Sequence, residues 1–137
     1  MNPYGNFTYD DALSLKDAGL VATTTTESTI VDLGEGLFDG YLVLEVTAVE
    51  VATGDEIYDV CLEGSTVSGM ASGSVCLSRI KLGNAPAPAD ADTDVGRFVV
   101  PVRNEQNGTL YRYVRIYTAV AGTVATGINF SAFLAKD

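Results

Sequence analysis

The sequence predicts an all-β protein built as a β-sandwich, and three observations carry that expectation. Apolar and polar residues alternate with period two through one short segment after another, the spacing of a strand with one buried face. Glycine, asparagine and aspartate punctuate those segments at fairly regular intervals, as turns do. No segment holds the apolar spacing of an amphipathic helix for long enough to count as one.

Taken in order, residues 1–27 read as an extended N-terminal arm, and 28–137 as a single sandwich domain. Asn2-Pro3-Tyr4-Gly5 is turn chemistry. Tyr4, Phe7, Tyr9, Leu13, Leu15 and Leu20 are too irregularly spaced for a helix, and a run of threonines, Thr23 to Thr26, follows. A purely solvated tail does not carry so many large apolar groups, so the arm is expected to dock on another surface.

Ser28 to Leu33 is the first clear strand, closed by Gly34-Glu35-Gly36. Tyr41 to Val51 is the longest, with Leu42, Leu44, Val46 and Ala48 on one face and a partly apolar second face. Ile57 to Glu63 and Val75 to Leu82 follow, separated by a Ser/Gly/Thr loop. Ala85 to Asp94 is a low-complexity loop whose alternating prolines favour extended backbone. Gly96 to Val102 turns Phe98, Val100 and Val102 inward and Pro101 outward, an arrangement suited to an edge strand.

Asn107-Gly108 is a hairpin turn. It leads into Leu110 to Val120, where Val114, Ile116, Thr118 and Val120 share one face and Tyr111, Tyr113, Arg115 and Tyr117 the other. Three tyrosines and an arginine on one ribbon have the composition of a contact surface. The same ribbon also suits a central strand whose tyrosines a neighbouring loop covers. The last strand, Thr123 to Leu134, sets Ile128, Phe130, Ala132 and Leu134 against Asn129, Ser131 and Phe133. These seven or eight strands suggest a jelly roll, and the lack of a cysteine–tryptophan–cysteine pattern argues against an immunoglobulin domain.

Composition narrows the function. At 137 residues, with 47% hydrophobic and 19% charged residues, the chain suits one globular domain. A net charge of −10 and a sequence pI of about 4.2 set it against nucleic-acid phosphates and anionic membranes, so neither is an expected partner. No signal peptide and no membrane span are expected. Two cysteines, Cys61 and Cys76, are too few for a disulfide framework and are expected as free thiols in a chain made in a reducing cytoplasm. Histidine is absent, which removes nucleophile–histidine triads and histidine metal sites. No enzyme activity and no cofactor are expected. Asp90, Asp92 and Asp94 alternate as in a calcium loop, but Gly96 falls one place late and Pro101 stands where such a loop needs glutamate.

Several segments together carry a family resemblance. They are the leucine-bearing ALSLKDAGLVATTTTE, the following STIVDLG (Ser28 to Gly34), YRYVRIYTAVAGT (Tyr111 to Thr123) and the closing FSAFLAKD (Phe130 to Asp137). In order and spacing the chain resembles the jelly-roll capsid cement, or decoration, proteins of short-tailed double-stranded-DNA bacteriophages. The resemblance covers both ends and the overall length, and is weakest over Thr53 to Asp94. It implies a structural protein made in the host cytoplasm and carried on the outer capsid surface of the virion. Its partners would be the major capsid protein and further copies of itself, as a dimer or trimer. Candidate interface residues are Tyr4, Phe7, Tyr9, Leu13 and Leu15 in the arm, and Tyr113, Arg115 and Tyr117 on the ribbon. A carbohydrate-binding jelly-roll module and a tail-fibre β-domain are the alternative readings.

Overall fold

The computed structural model describes residues 9–84 and 92–136. Among them there is no α-helix. A 3₁₀ turn, Asp11–Leu13, is capped by the Asp10 carboxylate, which accepts the Ala12 N–H at 3.0 Å. The chain then forms the short strands β1 (Ser14–Lys16), β2 (Leu20–Val21), β3 (Thr25–Thr26) and β4 (Val31–Asp32). The long strands are β5 (Asp39–Val49), β6 (Ile57–Ser65), β7 (Val75–Gly83) and β8 (Gly96–Arg103). A small hairpin, β9 (Glu105–Gln106) and β10 (Thr109–Leu110), precedes β11 (Tyr113–Ala121) and β12 (Ile128–Lys136).

Two antiparallel sheets pack face to face as a β-sandwich. The first runs β1-β12-β5-β8, with β2 also on β12; the second runs β3-β11-β6-β7, with β4 also on β11. The chain therefore crosses repeatedly between sheets: β5 in the first, β6 and β7 in the second, β8 in the first, β11 in the second, β12 in the first. Period-two alternation places one face of each strand in the shared core. Leu42, Leu44, Phe130, Ala132 and Leu134 come from the first sheet, and Tyr58, Val60, Leu62, Val114 and Ile116 from the second.

The inward residues expected for β11 and β12 are the ones found inside. Pro101 lies on β8, an edge of the first sheet, and Ser78 Oγ of β7 donates to its carbonyl at 3.1 Å across the open side of the sandwich. Three expectations are corrected. The segment 14–26 is no separate arm. It forms edge strands of both sheets, with Leu15 fully buried and Val21 beside it in the core. The second correction concerns β5, where a bulge opposite Asn129 and Phe130 flips the parity after Val46. Ala48 faces out and Val49 packs inward. The third is that β12 begins at Ile128 rather than Thr123. Glu50 Oε1 accepts the N–H groups of Ala125, Thr126 and Gly127 at 2.9, 2.7 and 2.9 Å and holds that stretch as a loop.

Those N–H groups, Gly127 foremost, lower the Glu50 pKa from its usual 4.5. A carboxylate whose folded pKa is depressed stabilises the fold above pH 4.5, and loses that contribution as pH falls through the folded pKa. Glu50→Gln should therefore melt below wild type at pH 7, with the gap closing under about pH 4.5. A gap independent of pH would show that the charge contributes nothing.

At the opposite end, Asn104 is fully buried and joins three stretches of chain. Its Oδ1 accepts the Phe38 N–H at 2.8 Å, its Nδ2 donates to the Tyr111 carbonyl at 3.1 Å, and its own carbonyl accepts the Tyr111 N–H at 2.7 Å. This tie sets where β11 begins. The Asn107-Gly108 turn forms as expected, with φ of 56° and 85°, but it closes β9 on β10 rather than joining β8 directly to β11.

One core position is imperfect. Thr118 on β11 is fully buried and its hydroxyl has no hydrogen-bond partner among the described residues. Valine has the same shape without the hydroxyl, so Thr118→Val should stabilise by about 1–3 kcal/mol and raise the melting temperature by several degrees. A lowered melting temperature would mean that the hydroxyl is satisfied.

Candidate contact surface

The second sheet turns an aromatic and charged face outward. Tyr113, Arg115 and Tyr117 project from β11 because Val114, Ile116 and Thr118 take the core side. Pairing with β6 sets Tyr113 opposite Ser65, Arg115 opposite Glu63 and Tyr117 opposite Cys61. On the other flank, Tyr113 lies opposite Asp32 of β4 and Tyr117 opposite Thr26 of β3. All three ribbon side chains are half-buried, and neither tyrosine belongs to a core cluster.

Electrostatics order this face. Arg115 Nε donates to Glu63 Oε1 at 3.0 Å, with 21% of each side chain exposed. Arg79 on β7 is forked onto Asp59 of β6, its Nε donating to both carboxylate oxygens at 2.8 and 2.9 Å. Arg112 donates to Asp32 through Nε at 2.6 Å and Nη2 at 2.9 Å, and its guanidinium lies 5.4 Å from the Tyr113 ring centre. These hydrogen bonds push the Asp32 carboxyl below its usual pKa. The arginines are therefore held in fixed positions around the tyrosines. Between the ribbon and β7 lies a shallow hollow of about 260 Å³, lined by Tyr117, Ala119, Asp59, Cys61, Glu63, Cys76 and Arg79.

Among the described residues, Tyr113, Arg115 and Tyr117 are the expected interface residues that come together. Leu15 is fully buried in the core, which corrects its place as a contact residue, and Leu13 is partly buried against that core. Tyr9 remains 55% exposed, but its ring meets Phe133 edge-on at 5.3 Å on the outer face of the first sheet. There Val43, Phe133 and Ala135 form a second apolar cluster with Tyr41 packed against it. Tyr4 and Phe7 lie outside the described residues, as does Asp90 of the acidic loop. Within that loop, Asp92 accepts from the Asn84 side chain and Asp94 from the Val95 N–H.

Glu63 and Asp32, which pair with Arg115 and Arg112, and the neighbouring Asp59–Arg79 pair carry no local signal in the sequence that marks them as site residues. Strand parity puts Asp59 and Glu63 on the outer face of β6, but only the folded sheet shows that Asp59 meets Arg79 diagonally and Glu63 meets Arg115. Both cysteines are free thiols, Cys61 half-buried and Cys76 exposed. No protein-family model matches the chain, and no curated protein is significantly similar to it.

Proposed function

We propose that this chain is a jelly-roll capsid cement protein of a short-tailed bacteriophage, and that the β11 face is its contact surface. The observation that carries the reading is the position of Tyr113, Arg115 and Tyr117. They stand outside the core, on a rigid central strand, with their charged neighbours fixed by ion pairs. Aromatic and arginine groups in that setting lose little entropy on binding and serve as anchors. The winding between sheets supports the jelly-roll part of the reading: each long strand lies beside the partner that a doubly folded eight-strand ribbon would give it. The family resemblance of the two end segments supports the capsid part.

In this role the sandwich binds the outside of an assembled head and bridges neighbouring major capsid subunits. The acidic surface suits a position away from packaged DNA. Individually weak contacts add up when a lattice fixes their spacing. Two assays on the purified chain test the reading: co-sedimentation with empty, expanded heads, which should succeed, and a glycan array, which should stay silent. Strong array signals without head binding would favour a carbohydrate-binding module.

A further inference from the structure

Cys61 and Cys76 both lie on the outer face of the second sheet and line one hollow there. Cys61 pairs across β6–β7 with Arg79, and Glu63 pairs with Cys76, so the two cysteines are diagonal neighbours. Between those pairs the register shifts and Leu77 is left without a cross-strand partner. The two side chains share the hollow beside Tyr117, and the Cys76 thiol donates to the Ser78 carbonyl at 3.5 Å. Neither belongs to a core cluster, so packing does not account for the arrangement.

Their environments differ in a useful way. Cys76 is exposed on the edge strand β7, where a reagent can reach it from the side even when the β11 ribbon is covered. Cys61 is half-buried; burial, its interaction with Cys76 and the nearby Glu63 and Asp59 push its thiol well above the ordinary range. Arg79, opposite Cys61 in the register, lines the same hollow as both sulfurs. The irregularity at Leu77 interrupts the β6–β7 ladder between the two cysteines and bends β7 there.

We propose that Cys61 and Cys76 are a redox pair, converted by a small-molecule disulfide into an intramolecular bond that ties β6 to β7. The Cys76 thiolate attacks one sulfur of the reagent, forming a mixed disulfide and releasing the first thiolate, which takes up a proton. Cys61 then loses its proton to solvent and attacks the Cys76 sulfur, expelling the second thiolate. Two protein thiols are oxidised and one reagent disulfide is reduced to two thiols. The timing, though not the chemistry, rests on the cement reading: reduced during assembly in the cytoplasm, oxidised after release from the cell.

The test uses the full chain, folded, with oxidised glutathione and intact-mass detection. Wild type should lose the mass of two hydrogens and retain no adduct. Cys61→Ser should hold one glutathione on Cys76, and Cys76→Ser should remain unmodified while folded. Wild type that keeps both thiols until unfolded, that carries glutathione on each cysteine, or that links copies together on a non-reducing gel would overturn the proposal. The wild-type result decides alone if a variant misfolds. Head binding requires no thiol, so failure here leaves the cement reading standing, and failed head binding leaves the thiol chemistry standing.

Discussion

Deleting Met1–Ala22 is expected to abolish folding rather than release a sandwich that lacks its arm. The deletion removes β1 and β2, which cover the β12 edge of the first sheet from Ser14 to Val21. Leu15 goes with them, and losing one fully buried leucine side chain costs about 2–5 kcal/mol. Val21 and the Lys16 ammonium are lost too. That ammonium donates to the carbonyls of Asp17, Gly19 and Phe130 at 3.0, 3.0 and 2.8 Å and lies 4.5 Å from the Phe130 ring centre. Against a typical net stability of about 5–15 kcal/mol, the sum leaves little margin. Circular dichroism and thermal melting of the truncated chain should show no cooperative transition. A shorter deletion, Met1–Thr8, leaves every described strand in place and should melt cooperatively. A folded Met1–Ala22 deletion would mean that the sandwich holds without its first edge.

The second large effect belongs to the ribbon. Tyr113→Ala/Tyr117→Ala removes two half-buried rings from the outer face while leaving Val114, Ile116 and Thr118 in the core. Anchors of this kind cost about 2 kcal/mol each when cut to alanine, or about 30-fold in affinity apiece. The double variant should keep its β-type circular dichroism and most of its melting temperature. It should shift towards monomer in light scattering, if a second copy covers the face, and lose affinity for heads. Had the rings been core residues, stability would fall sharply instead, because large-to-small core substitutions leave cavities. Unchanged association together with unchanged head affinity would remove the ribbon from the contact surface.

Much of this fold was legible because period two is easy to read where one face is buried. The inward residues of β11 and β12, the outward Tyr113-Arg115-Tyr117 ribbon and the edge position of Pro101 all follow from alternation. What escaped was short or decided at a distance. Strands β2, β3 and β4 have two residues each, too few to show a period, and their partners lie about a hundred residues away in β11 and β12. A leucine such as Leu15 therefore looks the same in sequence whether it enters a core or reaches for a neighbour. The bulge in β5 and the Glu50 cradle that delays β12 are tertiary events with no local signature. The thiol pair was hidden for the same reason: Cys61 and Cys76 meet only through the β6–β7 register and its irregularity.

The most direct measurement is a binding isotherm of the wild-type chain on empty, expanded heads, read by co-sedimentation. The cement reading predicts saturable binding at a stoichiometry fixed by the capsid lattice, weakened by Tyr113→Ala/Tyr117→Ala. Protein that stays in the supernatant at every head concentration, while remaining folded, would contradict it.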